Sequence, residues 1–488
     1  MRISPLALLL LPLTSGAAVK NVATVAEFQT ALSSATAGDE IVLANGTYTF
    51  NANLTCAAEG TQALPITVRA ANRHAALIRF NATEGFKVSG RYWTFDGLTV
   101  EGICATDSNC EHAFHVTGHA DGFVLRNSRV RDFNSQLKSN ATKNGAGVWE
   151  MPHRGLIERN EIYDTRPRVT GTPVNKLNID TGDDWVVRDN EVHDFAKQGG
   201  ISYGAFMKSG GKRGIFERNR VLCTRDQPAS DTRIGLSFGG GGTGNAFCAP
   251  AFDPAVPCTP EHTDGVIRNN IVANCSDVAV YLNKATNTRV LFNTFISTTG
   301  VDYRFAASTG EAHGNVLSSV IRVRESGTFT AGTNQMNVAT ATFASWYVAP
   351  LKGDLTLKGD VTSLVRAGAR NALVTDDFCG RPRPSTGAYT LGALEHPQGN
   401  CAAGTGGTDA GTGGTDAGTG GTDAGTGGTD AGTGVADAGI IPDAGPGPEE
   451  EPPADEDEDG GCSAAPGLLP LLLTLLVPLS LRRRSRRE

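Results

Sequence analysis

The sequence contains no Cys-x-x-Cys pair and no apolar run of the roughly 20 residues that a comfortable membrane span needs. Without Cys-x-x-Cys pairs, a structural zinc site is not expected. Helical patterns are also scarce. The clearest one begins at Thr24, a predicted N-cap with Glu27 three residues later. These absences leave an all-β body with one short helix near its start as the favoured fold class.

The first 18 residues predict a secretory signal. Arg2 supplies the positive charge, residues 6–13 form an apolar core, and residues 15–18 form a small-residue cleavage site. The rest of the chain is therefore expected to be exported into an oxidising compartment.

The C-terminal end combines Cys462, an apolar run over residues 467–481 and an arginine cluster over residues 482–487. The run is short and interrupted by prolines, and the arginines are expected to stay cytoplasmic. This arrangement resembles the myxobacterial C-terminal sorting domain. The resemblance implies that sorting machinery acts on the tail and that Cys462 becomes the anchor at the outer cell surface. An ordinary transmembrane tail anchor is the alternative.

A linker over residues 402–461 separates this tail, residues 462–488, from the body, residues 19–401. Its Gly-Thr-Gly-Gly-Thr-Asp-Ala repeat has no apolar positions and is followed by an acidic stretch, so we predict that the linker is disordered. Its acids account for most of the formal net charge of −8, and the body itself is nearly neutral. A neutral body argues against nucleic acid as a partner, and we expect a monomer.

The spacing of the body cysteines predicts a set of disulfides. Three pairs are close in the chain, a fourth pair is also feasible, and Cys56 is left over. The pairs are Cys104–Cys110, Cys248–Cys258 and Cys379–Cys401, with Cys223–Cys275 as the fourth.

One phrase recurs along the body: two apolar residues, one or two charged residues, Asn, any residue, then an apolar residue. Successive copies lie 22 to 32 residues apart, except for a step of 51 residues that must hold an extra coil or a long loop. This period predicts a right-handed parallel β-helix, a solenoid whose asparagines hydrogen-bond from coil to coil and tolerate a left-handed turn conformation. The repeated positions are Ser128, Asn160, Asn190, Asn219, Asn270, Asn293 and Asn315.

Residues 23–48 and 353–389 resemble the entry and closing segments of secreted β-helix proteins of the chondroitinase B and alginate lyase family. The resemblance covers most of residues 19–396 and implies action on a polysaccharide, expected to be acidic. Phe206-Met-Lys208-Ser-Gly-Gly stands where these lyases carry their base, which implies that role for Lys208. The resemblance also implies a catalytic arginine, for which Arg233 is the candidate, and calcium held by acidic ligands. The chain departs from the pattern at residues 199–205, which contain no acid.

Alignment of the coils on the asparagines places Thr117, Glu150, Asp180, Lys208 and Asn283 at equivalent positions. Neighbouring coils lie about 4.8 Å apart, so these side chains are predicted to form one row on one face. The row suits β-elimination on a uronate: a base takes a proton and cations neutralise the carboxylate. Lys208 is the candidate base, and an adjacent Asp180 works against that role because it stabilises a charged ammonium.

The remaining candidate residues surround this row. Arg213 is an alternative to Arg233 as the cation that neutralises the substrate carboxylate, and two consecutive acids are candidate calcium ligands. The full set comprises Lys208 and Arg233 as catalytic candidates, Glu150, Arg154, Asp180, Lys212 and Arg213 as substrate-binding candidates, and Asp183 and Asp184 as metal candidates.

Two other functions remain open from the sequence. Glu150 and Asp180 on adjacent coils would suit two-carboxylate hydrolysis, although the Gly-His-Gly and Arg-Ile-Lys elements of β-helix polygalacturonases are missing. A non-catalytic carbohydrate-binding or adhesive rod would fit the long linker equally well. The glycine-rich residues 239–244 are interpreted as a wall of the groove or as a plain connecting loop.

The histidines show no metal-ligand spacing and are predicted to be surface or turn residues. This group comprises His115, His119, His193 and His262.

Overall fold

The structure, a computed structural model, describes residues 16–228, 231–240, 242–396 and 401. Over these residues the chain is a right-handed parallel β-helix, as the sequence predicted. Three long sheets of twelve, ten and ten strands run along its axis, and successive coils pair in parallel within each sheet. The predicted cleavage site lies partly outside the described residues, and the linker from residue 402, the tail and Cys462 lie wholly outside them.

The twelve-stranded sheet contains, in spatial order, Val19–Val22, Glu40–Leu43, Ile66–Ala70, Trp93–Asp96, Val124–Arg126, Leu156–Glu158, Val186–Arg188, Ile215–Glu217, Val266–Arg268, Thr288–Leu291, Gly310–His313 and Thr330–Ala331. One ten-stranded sheet contains Gly46–Phe50, Ala76–Phe80, Thr99–Gly102, Arg129–Arg131, Glu161–Tyr163, Glu191–His193, Arg220–Leu222, Ile271–Ala273, Thr294–Ile296 and Val316–Leu317.

The other ten-stranded sheet is called the site sheet. It contains Leu54–Cys56, Glu84–Val88, His112–Thr117, Ser135–Asn140, Val174–Asp180, Ile201–Lys208, Thr232–Phe238, Val280–Asn283, Gly300–Arg304 and Val320–Arg324.

Smaller elements decorate the coils. Two antiparallel pairs are formed by Thr142–Lys143 with Trp149–Glu150 and by Tyr347–Ala349 with Asp354–Leu357, and a short parallel sheet contains Gly211–Lys212, His262–Thr263 and Ala285–Thr286. The α-helices are Val25–Ser33 and Thr340–Trp346. The 3₁₀ turns are Asp107–Asn109, Asn245–Phe247 and Pro350–Lys352. Among the described residues, no helix has the length and apolar character needed to cross a membrane.

The predicted asparagine ladder is present and runs through the interior. Each ladder amide before the last donates from Nδ2 to Oδ1 of the asparagine on the next coil at 2.9 to 3.0 Å, and its backbone N–H donates to the same oxygen. Ser128 joins at one end through its backbone N–H, and Asn334 extends the ladder at the other. The ladder members are Asn160, Asn190, Asn219, Asn270, Asn293, Asn315 and Asn334.

The turn conformation differs from the prediction in one respect. The left-handed residue of each turn is the one before the ladder asparagine, such as Arg159 with φ 56° and Asp189 with φ 57°. The ladder asparagine itself is therefore free to face inward, where its amide meets the neighbouring coils.

The ends of the solenoid are covered as expected. Thr24 caps the first helix, its side chain accepts from the backbone of Glu27, and Glu27 bonds back to the Thr24 backbone. Phe28 of that helix packs against Tyr48, Phe50 and Phe86 and closes the first coil. At the other end Arg383 is buried and donates to Glu395 at 2.9 Å.

All four predicted disulfides form, Cys223–Cys275 included, and Cys56 is a buried free thiol. The 51-residue step holds a long loop between Phe238 and His262, which the Cys248–Cys258 bridge ties together. An extra coil is therefore not what lengthens this step.

Candidate functional site

The outer face of the site sheet carries a strip of polar side chains. In three neighbouring strands, alternate residues such as Leu137, Leu177 and Met207 enter the hydrophobic core. Because side chains alternate across a strand, the residues between them face outward. The polar outward residues of these three strands, together with His115 of the preceding strand, form what is called the polar strip. It consists of His115, Lys138, Asn140, Asn178, Asp180 and Lys208.

Asp180 lies between two lysines in this strip. Lys138 Nζ donates to Asp180 Oδ2 at 2.7 Å, and Lys208 Nζ lies 3.6 Å from Asp180 Oδ1. Burial opposes ionisation of Asp180, but the two lysine charges outweigh it and hold the pKa of this carboxyl below its usual value. The trio therefore carries one net positive charge on an otherwise nearly neutral body.

Register confirms most of the predicted row and corrects one member. Asp180 pairs with Lys208, and Thr117 pairs with Asn140. Asn140 follows Ser139, which pairs with Ile179, so Asn140 holds the position beside Asp180 that was predicted for Glu150. The prediction took a fixed number of residues between the row and the ladder position in every coil. The hairpin after Asn140 lengthens that stretch in this coil, so the count reached Glu150 instead of Asn140.

Glu150 lies instead in the hairpin, opposite Thr142. Its carboxylate accepts from Asn144 at 2.9 Å and contacts His119 Nδ1 at 3.0 Å. The neighbours of Asp180 in its row are therefore the amide of Asn140 and the ammonium group of Lys208. The paired carboxylates expected for hydrolysis do not occur at these positions.

Arg233 is not brought to Lys208. Lys208 follows Met207, which pairs with Phe238, whereas Arg233 pairs with Ser202 near the other end of the strands. At about 3.3 Å per residue the two positions are roughly 20 Å apart. Burial lowers the pKa of the Arg233 guanidinium, and its Nε and Nη1 have no hydrogen-bond partner among the described residues.

The predicted calcium ligands are already paired with a cation. Arg213 donates to Asp184 at 2.7 and 2.8 Å and to Asp183 at 3.1 Å. These hydrogen bonds raise the pKa of Arg213 and lower that of Asp184. Asp183 and Asp184 do not fit a calcium site in this arrangement, because a bound ion would have to displace the guanidinium.

The other two substrate-binding candidates, Lys212 and Arg154, lie outside the strip. Lys212 is exposed in the short parallel sheet, opposite Asp183. Arg154 is about half exposed and forms an ion pair with Asp121 at 2.7 Å. Both residues therefore have partners outside the Lys138–Asp180–Lys208 trio.

Two loops meet along one edge of the strip. The hairpin with Trp149 leaves the strand that ends at Asn140, and the long loop with Phe252 leaves the strand that ends at Phe238. Their rings stack with centroids 4.6 Å apart, across the ends of the two strands between them. The glycine-rich residues contribute here through Gly240, whose N–H donates to Glu261 at 2.9 Å, whereas Gly241 lies outside the described residues.

The structure adds strip residues that the sequence analysis did not select. Lys138 and Asn178 belong to the next outward row, two residues before Asn140 and Asp180, in register with each other and with His115. The prediction for the histidines was partly wrong, because His193 and His262 are almost fully buried. Lys138 could have been identified from the sequence, because it lies two residues before Asn140 and side chains two residues apart in a strand share a face.

One family match agrees with the β-helix fold. The family described as Pel9A-like, right handed beta helix region, matches residues 14–161. No sequence among characterised proteins matches significantly. Among solved structures, the pectate lyase Pel9A is 17% identical with a TM-score of 0.43, covering 75% of this chain and 90% of its own.

Two further solved structures are similar. An alginate lyase from Paenibacillus sp. str. FPU-7 is 15% identical with a TM-score of 0.35, covering 64% of this chain and 99% of its own. A rhamnogalacturonan lyase is 13% identical with a TM-score of 0.42, covering 64% and 81%. Identities and TM-scores this low do not show that the chain shares the activity of these lyases.

Proposed function

We propose that the polar strip binds an acidic, uronate-containing polysaccharide. The observation that carries the proposal is the Lys138–Asp180–Lys208 trio, a net positive charge on an outward face along which equivalent positions repeat from coil to coil. A polymer with repeating carboxylates can lie along such a face, and a lysine ammonium can donate to each carboxylate in reach.

Unpartnered acceptors on the same face support a sugar ligand. Asn178 Oδ1 and Asn283 Oδ1 are buried and receive no hydrogen bond from the described residues. Buried acceptors in proteins normally have donors, and sugar hydroxyl groups would supply them. The aromatic contact between Trp149 and Phe252 would bound the polymer along one edge.

We expect Lys138→Ala and Lys208→Ala each to weaken binding of a uronate polymer roughly tenfold, the loss of one charge-assisted hydrogen bond. Affinity should also fall as salt rises, because salt screens the attraction between the positive strip and the polymer carboxylates. Binding is measured by calorimetry on the full chain at two salt concentrations, and the melting temperature of each variant checks folding.

Lys352→Ala is the matched control, because that lysine is ion-paired to Asp226 on a different part of the surface. Equal affinity for neutral and acidic polymers, or strip variants that bind like the parent, would refute the proposal.

Cleavage of the bound polymer by β-elimination is the second candidate function. Lys208 is favoured as base because Asp180 is hydrogen-bonded to Lys138 and lies farther from Lys208. The amine would take the proton beside the uronate carboxylate, the glycosidic C–O bond would break, a C=C bond would form, and the leaving oxygen would take a proton from solvent. Lys138 would neutralise the carboxylate.

Export and attachment at the outer surface through Cys462 are also proposed, on the sequence features alone. We expect the cell-associated protein to end near Cys462, since the apolar run is too short and too proline-rich for a comfortable span. Mass spectrometry of that protein tests this expectation, and an intact terminus at Glu488 would contradict it.

A further inference from the structure

We infer that Glu84, His112 and His115 form a binding site for a divalent transition-metal ion, with Zn²⁺ as a suitable occupant. One ligand atom from each of the three side chains lies within 4.8 Å of the others. The inference concerns the N-terminal side of the outer face and does not depend on the polysaccharide proposal.

The strand geometry explains how the three residues meet. His112 pairs directly with Glu84 on the neighbouring strand. His115 is three residues further on, a spacing that would place it on the opposite face of a regular strand. Ala113 and Phe114 are both buried, however, so the strand turns locally and both histidines face outward, with ring centroids 5.1 Å apart.

Both histidines approach the same carboxylate oxygen. His115 Nδ1 contacts Glu84 Oε1, and His112 Nδ1 lies 3.8 Å from that atom. Lys87 lies 3.8 Å from the other oxygen, Oε2. Lys87 therefore lies beside one oxygen of the Glu84 carboxylate, and the other oxygen, Oε1, faces two imidazole nitrogens.

Hydrogen bonds orient the His115 ring so that its Nδ1 faces Glu84. Its Nε2 lies 2.6 Å from Asn140 Oδ1, and the Asn140 amide nitrogen is used by the carbonyl of Ala141 at 3.1 Å. Nε2 must therefore donate, which is how metal-binding histidines are usually oriented by a neighbouring carbonyl. The His115 Nδ1 then faces Glu84, and a bound ion would take the place of the proton that Nδ1 shares with that carboxylate.

His112 supplies the independent observation. Its Nδ1 is buried and has no hydrogen-bond partner among the described residues. This nitrogen lies 3.8 Å from Glu84 Oε1, beyond hydrogen-bond distance, so an ion bound between the two atoms would give it a partner.

The donor set matches a borderline metal. Two imidazoles and one carboxylate are ligands of zinc, iron and nickel sites, whereas calcium and magnesium prefer oxygen alone. Three protein ligands leave a coordination position open to water or another ligand. Of the nearby charges, Glu111 favours a bound cation, whereas Lys87 and Lys138 oppose it.

The test uses the full chain after treatment with a chelator, titrated with ZnCl₂ by calorimetry. We expect one equivalent to bind, and Glu84→Gln, His112→Ala and His115→Ala each to abolish that binding. Asn140→Ala should weaken it by about 10- to 100-fold, because it removes only the group that orients His115. Far-UV circular dichroism confirms that each variant is folded.

His119→Ala is the matched control, since His119 also lies between two carboxylates, Glu59 at 2.6 Å and Glu150 at 3.0 Å. It should bind zinc like the parent. Absence of zinc binding in the parent, binding that survives the three ligand variants, or binding lost in His119→Ala would each overturn the inference and leave Glu84 and His115 as an ion pair.

Discussion

Lys208→Ala is expected to abolish release of unsaturated product from a uronate polysaccharide, with a loss of at least 10²- to 10⁴-fold, the range of general base catalysis. Lys208 stands at the end of its strand in the Asp180 row, and its side chain is 14% exposed. The measurement is the ultraviolet absorbance of the product across a panel of uronate polymers.

Lys208→Arg separates a base from a binding group. Arginine keeps the positive charge that attracts the polymer, but its guanidinium does not give up a proton in proteins. Binding should therefore survive while product formation is lost. Product formation at the parental rate by Lys208→Arg would rule out the base role. If the parent releases no product from any polymer yet binds one, the strip is a binding surface alone.

Asn219→Ala is expected to lower the free energy of unfolding by about 2–5 kcal/mol. Asn219 is almost fully buried. Its Nδ2 donates to the carbonyl of Val187 at 2.8 Å, and its Oδ1 accepts from the backbone and side chain of Asn190 at 3.2 and 3.0 Å. Alanine would leave these groups without partners where water does not reach. Urea denaturation of the full chain measures the change.

Asn334→Ala provides the control for burial. Asn334 makes equivalent bonds to Asn315, at 2.9 Å from both the backbone and side-chain nitrogens, but it lies partly exposed at the end of the ladder. Water can replace its amide there, so the cost should stay below about 1 kcal/mol. Equal losses in the two variants would show that stacking from coil to coil, rather than exclusion of water, sets the energy.

The features that the sequence predicted correctly are those that repeat or are local. The ladder asparagines recur with the coil period, the Thr24 cap depends on one turn of helix, and Cys104 and Cys110 are close along the chain. In each case the interacting groups are fixed by a short stretch of chain or by one repeated distance. These contacts can therefore be predicted without knowing the path of the intervening loops.

The candidate site depended on positions that the repeat does not fix. The row was counted back from the ladder, which worked for Asp180 and Lys208 and failed for Glu150, because a hairpin lies between Asn140 and the next ladder asparagine. The pairing of Asp183 and Asp184 with Arg213 was missed for a related reason: adjacent coils decide which charges meet.

By itself, then, the sequence determined the solenoid, its ladder, its disulfides and its first cap, because periodic spacing and short-range contacts carry that information. Only the tertiary structure decided that Lys138 shares Asp180 with Lys208, and that His112 and His115 face Glu84 together. Those contacts join side chains on different coils, where one inserted hairpin or one irregular strand changes every partner. The chemistry of the outer face therefore follows from register between coils, which residue spacing alone does not specify.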